Sequence, residues 1–447
     1  MVFFMALSKQ PYKGTRDFFP PLKRGQDWMC EKMHQTAQSF GYEHYDGPLL
    51  EEVNLYRAKS GEELINDQIY SFIDRGGREV AIRPEMTPTL ARMISQVHRE
   101  VSRPIRWYSI PNLMRYERPQ KGRLREHWQF NVDIFGGPPD FSEIEILQLA
   151  ISLLTQYGAD HHHFEVLINN RKLVDFLFAQ VMKLDEQKSY KLYKLIDKSK
   201  KLAPDKFTSE LLELGLEEKA NELFKSYLKL ASFSDVLNFA KQISFPHEVW
   251  DIEKFHNSCK SLNISEYLKF DPTIVRGLDY YTGLVFEIFD KNPENRRAIS
   301  GGGSYEKLLE IFGEEAVPGV GLGMGDVTLH DFLQTHNLFP DFSLPSNDVF
   351  VSIQTEDALI PSMKLSQQLR KCGLKVVTSP SPTKFNKLFD HAEKKGSSFV
   401  SIMGSDEVKK GTCLIKNLKT KAQQEFSLSD VSAIHNFIQQ LDSRPLK

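Results

Sequence analysis

The chain has 447 residues with a formal net charge of −2, and 40% of its residues are hydrophobic. This length predicts about two or three domains with real cores, and no apolar run is long enough to predict a membrane span. The four cysteines are scattered without CxxC spacing, which is typical of reduced cytoplasmic thiols rather than of a disulfide frame or a zinc site.

Charge is distributed unevenly along the chain. From residue 346 to the end, 15 lysines and arginines stand against 10 aspartates and glutamates, so this part carries +5 and the remainder −7. A basic C-terminal part on an acidic body is consistent with a protein that meets a polyanion at one end.

The first part of the chain predicts a helix, an extended segment and a hairpin. Apolar residues at helical spacing predict a helix over residues 22–40, and Gly41 is well placed to end it. An extended segment with one proline follows at residues 42–51. Residues 67–86 predict a β-hairpin, because two alternating apolar runs flank a turn with adjacent glycines.

Residues 114–129 form the most distinctive segment. They hold four arginines and one lysine, with Pro119 and Gly122 among them. The flanking runs at 105–110 and 130–135 predict strands, so a mobile cationic loop between two strands is expected. Guanidinium groups bind phosphate oxygens in pairs, which suits a loop that holds a polyphosphate and then releases it. The alternative is a solvated charged hairpin.

The middle of the chain is helical by its pattern. Residues 142–157 predict one helix, and residues 171–265, which are rich in lysine, leucine and glutamate, predict an inserted helical subdomain. Its basic residues could contact RNA, although a solvated helix face is the simpler alternative. These residues are Lys191, Lys194, Lys198, Lys200 and Lys201.

Residues 272–330 return to a strand-like and glycine-rich pattern, but their glycines lack the Gly-Lys-Ser/Thr sequence that a P-loop requires. Prolines and serines around residues 339–346 predict a linker. Beyond it, strands and helices alternate, which predicts a mainly parallel or mixed sheet with covering helices. The strands are predicted at 349–354, 374–379, 398–403 and 412–418, and the helices at 357–371, 383–395 and 429–441.

Three adjacent histidines at 161–163 raise the question of a metal site. Neighbouring residues of a strand point to opposite faces, so adjacent histidines on a strand make a poor chelate. We therefore expect this run to hold no metal.

A second distinctive segment reads Arg-Gly-Leu-Asp-Tyr-Tyr at residues 276–281, followed by Thr-Gly-Leu-Val-Phe-Glu. Together with the cationic loop, it resembles the histidyl-tRNA synthetases, a family of class II aminoacyl-tRNA synthetases. The loop is similar to the second class II motif, and residues 276–281 are similar to a histidine-specific segment of the family. The helix–strand unit that ends near residue 51 is similar to the first class II motif. The resemblance covers nearly the whole chain.

The resemblance implies an α+β fold. A class II catalytic domain on an antiparallel sheet would span residues 1–335, with the helical insertion at about 171–265. A linker at 336–347 would lead to a C-terminal α/β anticodon-binding domain at 348–447.

The resemblance also implies a reaction and partners. The chain would join histidine to its tRNA, tRNA(His), at the expense of ATP and through a histidyl-adenylate. It would be a cytoplasmic homodimer without membrane contact, because the first class II motif builds a dimer interface. Magnesium would accompany ATP and pyrophosphate, and no metal would be held by a protein cage.

The resemblance assigns roles within the cationic loop. Arg115 would lie on the α-phosphate, Glu117 near the adenine, and Arg123 on the outer phosphates. Arg118 and Gln120, at the loop tip, would face the acceptor end of the tRNA. The site would act mainly by positioning the reactants and neutralising phosphate charge.

Arg276 is the second implied catalytic residue besides Arg115. It would approach the α-phosphate on the side where other class II enzymes use a metal. A guanidinium is permanently charged and forked, so it can take over part of the role of a cation.

A pocket for histidine needs polar partners for both imidazole nitrogens and an anion for the ammonium group. The resemblance places three residues around the ammonium and carboxylate: Glu85, Thr87 and Gln129. It places three others against the ring: Asp133, Tyr281 and Tyr305. The family often has glutamate where this chain has Asp133.

Two positions depart from the family pattern. The third class II motif usually ends in Gly-x-Glu-Arg-Leu, whereas residues 325–329 read Gly-Asp-Val-Thr-Leu. Thr328 thus occupies the place of an arginine that packs on the adenine and meets the γ-phosphate. Arg123 or Arg125 could compensate, and Asp326 and Thr328 could instead cap the following helix. The usual Gly-Gly-Arg-Tyr-Asp sequence is Gly-Gly-Ser-Tyr-Glu at 302–306.

Two other functions remain as alternatives. A non-catalytic, synthetase-like regulatory subunit of ATP phosphoribosyltransferase binds histidine as a signal, and the altered third motif favours it. The intact arginine loop and the C-terminal domain oppose it, since that paralogue lacks an anticodon module. The histidine pocket argues against a simple RNA-binding module.

Overall fold

The computed structural model describes residues 7–58, 64–199, 202–275 and 281–441. The chain divides into two units: one comprises Met1–Asp17 and Gln26–Pro340, and the other comprises Phe18–Gly25 and Asp341–Lys447. Within the described ranges, every helix is too short or too polar to cross a bilayer.

The strands, numbered in chain order, are β1 (Glu43–His44), β2 (Leu50–Glu52), β3 (Tyr70–Ile73), β4 (Glu79–Ile82), β5 (Ile105–Ser109), β6 (Asn112–Met114), β7 (Glu126–Phe135), β8 (Phe164–Asn170), β9 (Leu268–Phe270), β10 (Leu284–Asp290), β11 (Ser300–Tyr305), β12 (Gly319–Gly325), β13 (Asn347–Val351), β14 (Val376–Thr378), β15 (Ser397–Ile402), β16 (Thr412–Asn417) and β17 (Gln423–Ser427).

The α-helices are α1 (Pro20–Ser39), α2 (Val53–Arg57), α3 (Thr87–Val97), α4 (Pro139–Gln156), α5 (Arg171–Phe176), α6 (Glu186–Lys198), α7 (Pro204–Glu213), α8 (Glu218–Tyr227), α9 (Phe233–Gln242), α10 (Ile252–Ser261), α11 (Asp326–Thr335), α12 (Leu359–Lys371), α13 (Phe385–Lys394), α14 (Ser405–Lys410) and α15 (Val431–Leu441). As predicted, Gly41 lies just beyond the end of α1, with a left-handed φ of +77° that glycine adopts without strain.

A nine-stranded sheet forms the base of the first unit. Its order is β1-β5-β7-β12-β11-β10-β8-β9, and β6 pairs with the end of β7. From β5 to β8 every neighbouring pair is antiparallel, whereas the outer pairs β1–β5 and β8–β9 are parallel. The predicted antiparallel sheet is therefore confirmed.

The two faces of this sheet differ in chemistry, because side chains alternate along each strand. Phe130, Val132 and Ile134 of β7 point to one face and join the main hydrophobic core, which also contains apolar residues of α4. Gln129 and Asp133 lie on the opposite face. In the register of the sheet they stand opposite glycines of β12, so this strand places no side chain beside the two polar groups.

The predicted hairpin at 67–86 is confirmed as β3 and β4, which pair with β2 in a small antiparallel sheet. Its turn is held by Asp74, whose Oδ1 accepts hydrogen bonds from the backbone N–H groups of Gly76 and Arg78 at 2.8 and 2.9 Å. Gly77 takes a left-handed φ of +80°, which explains the glycine there.

Residues 171–265 are mainly helical, from α5 to α10, as their pattern predicts. Four of the described helices, α5, α6, α9 and α10, begin at side-chain caps. Asp185, for example, accepts from the N–H of Lys188 at 2.7 Å and Ser232 from that of Asp235 at 3.1 Å. Leu192 and Phe224 belong to the same hydrophobic core as the large sheet. The helical region therefore packs on the sheet as part of the first unit.

The histidine run 161–163 corrects one premise of the sequence analysis. These residues form a turn before β8 and not a strand. The rings of His161 and His162 therefore lie on the same side, with centroids 3.9 Å apart, while His163 Nδ1 lies 2.6 Å from Asp160 Oδ1. Because the three histidines lie in a turn, their side chains do not alternate between two faces as they would along a strand.

The second unit contains a five-stranded mixed sheet in the order β14-β13-β15-β16-β17. Strand β13 is parallel to both neighbours, and the pairs β15–β16 and β16–β17 are antiparallel. Helices α12 and α15 bury Leu365, Leu369 and Ile434 against it. The predicted alternation of strands and helices is confirmed, with α14 and β17 as elements that the sequence pattern missed.

Candidate active site

A cavity of about 490 Å³ opens on the polar face of the large sheet. Its described lining includes four arginines: Arg115, Arg123, Arg296 and Arg297. Among the same lining residues, the carboxylates are those of Glu117 and Glu287. The excess of guanidinium groups suits an anion with several phosphate groups.

A second cavity, of about 1020 Å³, adjoins the first. The two share Gly122, Arg123, Arg297 and Thr328 among their lining residues. The larger cavity also reaches Asp197 of α6. A ligand in the first cavity would thus have an open approach past the loop tip.

The cationic loop is closed by a tight turn. Gln120 and Arg123 exchange two backbone hydrogen bonds of 2.9 Å each, and Gly122 between them has a φ of +71°. That left-handed conformation strongly favours glycine. The turn leaves Arg118 and Gln120 exposed while it directs Arg123 into the cavity.

The predicted phosphate ligands are already held in place by protein groups. Arg115 donates from Nε to the carbonyl oxygen of Pro84 at 2.8 Å. Arg123 forms an ion pair with Glu117, which is only 8% exposed. Both guanidinium groups are therefore anchored beside the cavity, a preorganisation that favours electrostatic binding.

Arg125 has a different role. Its Nε donates to the carbonyl oxygen of Glu117 at 3.0 Å, and a second nitrogen donates to the hydroxyl of Tyr12 at 2.7 Å. Its guanidinium also lies 4.0 Å from the ring centroid of Tyr116. Arg125 is 9% exposed and does not line the cavity, so it fastens the base of the loop.

The glycines of β12 create the space on this face. A Cβ at Gly321 would overlap Oδ1 of Asp133 and lie 2.8 Å from the hydroxyl of Tyr305. A Cβ at Gly323 would lie 2.8 Å from Nε2 of Gln129. The glycine row thus makes room for polar side chains of β7 and β11.

Asp133 and Tyr305 form a buried pair at the far end of this face. The Tyr305 hydroxyl donates a hydrogen bond to Oδ1 of Asp133, and Tyr305 and Asp133 are 2% and 4% exposed, respectively. Burial raises the pKa of Asp133 to about 7, although the hydrogen bond from Tyr305 acts in the opposite direction. Near pH 7 the Asp133 carboxyl group is therefore partly protonated. A ligand that donates a hydrogen bond to it or carries positive charge would shift it towards the ionised form.

Tyr281 lies beside this pair. Its ring packs over Gly303, where a Cβ would come within 2.7 Å of it, and Gly303 stands opposite Gly321 in the sheet. Tyr281 and Tyr305 share a hydrophobic cluster with Met86, next to the start of α3. The structure therefore brings three predicted ring contacts, Asp133, Tyr281 and Tyr305, into one region.

Of the other three predicted pocket residues, Glu85 is buried, and Thr87 is half-buried as the first residue of α3. Gln129 lines the arginine-rich cavity. It lies on the same strand face as Asp133, roughly 13 Å away along β7 because a strand rises about 3.3 Å per residue. Strand β7 thus runs from the arginine-rich cavity to the buried carboxyl group of Asp133.

His127 lines the cavity and was missed in the sequence analysis. Burial and the positive charges of Arg115 and Arg16 lower its pKa to about 3, so the ring is neutral at ordinary pH. Arg296 and Arg297 were missed as well. Their only sequence signal is a pair of arginines just before the glycine-rich strand β11.

The start of α11 contradicts the capping hypothesis for Asp326 and Thr328. The N-cap position is Gly325, and no side chain caps it. Asp326 is buried and accepts hydrogen bonds from the backbone of Trp128 at 2.9 Å and from Arg16 at 2.7 Å. Thr328 donates its hydroxyl to backbone carbonyl oxygens. Both side chains therefore join separate segments and do not cap the helix.

Arg276, Asp279 and Tyr280 lie outside the described residues, so the structure gives no position for the predicted catalytic Arg276. Lys200 and Lys201 of the basic run lie outside them as well. Among the residues with described positions, no three His, Cys, Asp or Glu side chains are grouped so as to hold a metal ion.

Comparison with known proteins identifies two families along the chain. A family model described as histidyl-tRNA synthetase matches residues 14–326, and one described as anticodon binding domain matches residues 348–436. The histidine–tRNA ligase of Leptospira biflexa is 41% identical over 424 residues, which cover 95% of this chain and 96% of the relative.

Two solved structures share the fold. A histidyl-tRNA synthetase from Nostoc aligns with a TM-score of 0.82 at 23% identity and covers 97% of this chain and 100% of that one. A Bacillus halodurans protein titled ATP phosphoribosyltransferase regulatory subunit/histidyl-tRNA synthetase aligns with a TM-score of 0.74 at 21% identity, over 89% of this chain and 98% of that one. The family models and the 41% identical relative confirm the resemblance that the motifs indicated. The chain therefore belongs to the histidyl-tRNA synthetase family of aminoacyl-tRNA synthetases.

Proposed function

We propose that this chain activates histidine with ATP and transfers it to tRNA(His). The observation that carries the proposal is the arrangement along β7. An arginine-lined cavity at one end and the buried Asp133–Tyr305 pair at the other lie on one face of the same strand. A nucleoside triphosphate and a small amino acid could therefore meet above Gln129.

In the first half-reaction, a carboxylate oxygen of histidine attacks the α-phosphorus of ATP. A new O–P bond forms, the bond to the bridging oxygen breaks, and pyrophosphate leaves with those electrons. We assign Arg115 and Arg276 to the α-phosphate, Arg123 to the outer phosphates and Glu117 to the adenine. These groups act by holding the reactants in line and neutralising their negative charge.

For the histidine substrate, we assign Glu85, Thr87 and Gln129 to the ammonium and carboxylate groups. The imidazole ring is assigned to Asp133, Tyr281 and Tyr305. An imidazole N–H that donates to Asp133 would favour the ionised carboxylate, and the raised pKa of this group leaves room for that response.

In the second half-reaction, a ribose hydroxyl oxygen of the tRNA end attacks the adenylate carbonyl carbon. An ester bond forms, the bond from that carbon to the phosphate oxygen breaks, AMP leaves with those electrons, and the hydroxyl proton passes to the departing phosphate or to water. Exposed Arg118 and Gln120 are assigned to the acceptor end. We assign residues 1–335 to catalysis, 336–347 to a linker and 348–447 to anticodon binding. The basic excess beyond residue 346 supports the last assignment.

We further infer a cytoplasmic homodimer that binds magnesium only as part of ATP and pyrophosphate. Exposed apolar side chains near the first motif and on the small sheet support an interface, since Leu49, Phe72 and Ile73 are 50%, 48% and 64% exposed.

The alternative, a histidine-sensing regulatory subunit, is favoured by one observation, the threonine at position 328. The arginine-lined cavity and the match of residues 348–436 to an anticodon-binding family oppose it. A sensor would bind histidine without activating it, so one assay of histidine activation distinguishes the two functions.

That assay is histidine-dependent exchange between ATP and labelled pyrophosphate. We expect exchange with histidine and none with other amino acids, because activation requires the imidazole contacts. Arg276→Ala should abolish exchange while the melting temperature and histidine binding persist. Histidine binding by the parent protein without exchange would favour the sensor, and near-normal exchange by Arg276→Ala would reject the role of that arginine.

A further inference from the structure

The third motif of this chain lacks its usual arginine, and the structure contains a candidate for the missing charge. We propose that Arg297 supplies it and binds the outer phosphates of ATP. The inference rests on the proposed ATP-dependent function and adds a binding residue to it.

The position of Arg297 is defined by its neighbours. The residue precedes β11, is half-buried and lines both cavities. A Cβ added to Gly122 would lie 3.1 Å from Cδ of Arg297 and 3.4 Å from Cγ2 of Thr328. The stem of Arg297 and the methyl group of Thr328, the residue that stands in place of the arginine, therefore both lie against the tip of the cationic loop.

Thr328 contributes to this arrangement in two ways. Its hydroxyl donates to the carbonyl oxygens of Ile299 and Gly325, each 3.2 Å away. Ile299 is two residues beyond Arg297, so Thr328 anchors the segment that carries the arginine. A threonine is also much smaller than an arginine, which leaves space for a guanidinium from another segment.

Arg297 is available for a ligand in a way that Arg123 and Arg125 are not. Arg123 is paired with Glu117, and Arg125 is bonded to Tyr12. For the portion of the chain that the structure describes, no carboxylate lies within ion-pairing distance of Arg297. A charge held beside a cavity without a protein partner is suited to a phosphate.

The outer phosphates are favoured over the α-phosphate by the neighbouring assignments. Arg297 lies against Gly122, which directly precedes Arg123 in the turn. Arg123 is assigned to the outer phosphates, whereas Arg115, at the start of the loop, is assigned to the α-phosphate. Arg297 and Arg123 would thus bind the same end of the triphosphate from two sides.

The test uses Arg297→Gln in the full-length protein, because glutamine removes the charge but keeps much of the stem that lies against Gly122. Lys307→Gln is the matched control. Lys307 follows the other end of β11 and also loses one positive charge, but it is exposed and lines neither cavity. Calorimetry without histidine measures the binding of ATP and of AMP, and pyrophosphate exchange gives the KM values for ATP and for histidine.

We expect Arg297→Gln to weaken ATP binding and raise the KM for ATP by at least about tenfold, as for the loss of a charge-assisted contact to phosphate. AMP binding and the KM for histidine should stay within about twofold, as should every value for Lys307→Gln. A purely structural role would weaken AMP and ATP alike and would lower the melting temperature.

The proposal is overturned if Arg297→Gln binds ATP within about twofold of the parent, if it weakens AMP as much as ATP, or if Lys307→Gln has an equal effect. Failure of the underlying function gives a different result. The parent would then show no histidine-dependent exchange, while the calorimetric comparison of ATP with AMP would still report on Arg297.

Discussion

The hydroxyl of Tyr305 reaches the carboxylate of Asp133 across an intervening strand. Asp133 belongs to β7 and Tyr305 to β11, and β12 lies between them. The contact is possible because Gly321 on β12 has no side chain to block it. The pair therefore depends on three strands that must be in register.

The raised pKa of Asp133 predicts that this pocket lowers the stability of the folded protein by an amount that depends on pH. Between the unfolded pKa of about 3.8 and the folded value of about 7, the folded state retains a proton that the unfolded state loses. Stability therefore falls as the pH rises through this window and stays lowered above it. We expect Asp133→Asn to be more stable than the parent at pH 8, by about 2–4 kcal/mol, and nearly equal to it at pH 4.

Urea denaturation of both proteins at the two pH values measures this difference. The same substitution should weaken histidine binding, because an asparagine side chain offers the imidazole no negative charge. The variant would then be more stable than the parent and less active. An unchanged difference between the proteins from pH 4 to pH 8 would show that Asp133 is ionised throughout in the folded state.

The glycine at position 321 is predicted to be essential for histidine binding. An alanine methyl would overlap Asp133 and crowd Tyr305, so both side chains would have to move. We expect Gly321→Ala to weaken histidine binding by more than about tenfold and to destabilise the fold by roughly 1–3 kcal/mol. Calorimetry with histidine checks the first effect and thermal melting the second.

Gly76→Ala, in the turn before β4, is a suitable control because the closest contact of its Cβ would be the Asp74 side chain, at 3.3 Å. It should bind histidine like the parent. Normal histidine affinity in Gly321→Ala would show that the Asp133–Tyr305 region is not the ring pocket.

Arg123 and Thr328 should contribute unequally to ATP binding. Arg123→Ala removes a charge from the cavity and leaves Glu117 buried without its partner, so the KM for ATP should rise by about tenfold or more. Thr328→Ala removes a hydroxyl that bonds backbone carbonyl groups, and we expect a change of less than about threefold. Exchange kinetics at saturating histidine compares the two. Loss of ATP binding in a stable Thr328→Ala protein would make Thr328 a direct ligand.

The lowered pKa of His127 predicts that the folded protein loses stability as the pH falls, whereas the raised pKa of Asp133 predicts a loss as the pH rises. Its folded pKa of about 3 lies below the unfolded value of 6.5, so the unfolded state gains a proton first as the pH falls. The stability that depends on the neutral ring is present above pH 6.5 and is lost as the pH drops towards 3. His127→Asn should therefore lose less stability than the parent between about pH 7 and pH 5.

Denaturation curves at these two pH values measure the effect, and His435→Asn in α15 serves as the control because that histidine lies in the other unit. Identical pH dependence of His127→Asn and the parent would mean that the ring binds a proton as readily in the folded protein as in the unfolded one.

The sequence predicted those parts of the fold that bury an apolar pattern. Helix α1, the hairpin β3–β4 and most of the C-terminal elements have such patterns and were found near their expected positions. Helix α14 and strand β17 were missed because α14 buries none of its six residues and only Phe426 of β17 is buried. Without a buried face, an element leaves no periodic signal.

The site shows a similar division. Arg115 and Gln129 could be named in advance, because they belong to a motif that is contiguous in sequence. The Asp133–Tyr305 hydrogen bond joins residues that are 172 positions apart, and residue patterns carry no information on that distance. Arg297 lies in a loop without periodicity, so only its packing against Gly122 and its place in the lining of both cavities distinguish it from a solvated arginine.

The second unit is not one continuous stretch of chain, since Phe18–Gly25 belongs with Asp341–Lys447. Arg24 illustrates the connection, as it donates to the carbonyl oxygen of Phe342 at 2.6 Å. An expression fragment that starts at residue 341 would therefore lack a native octapeptide from its own unit. To exchange this unit between relatives, both of its segments, Phe18–Gly25 and Asp341–Lys447, would have to be replaced together. Replacement of the C-terminal segment alone would pair it with an octapeptide from a different protein.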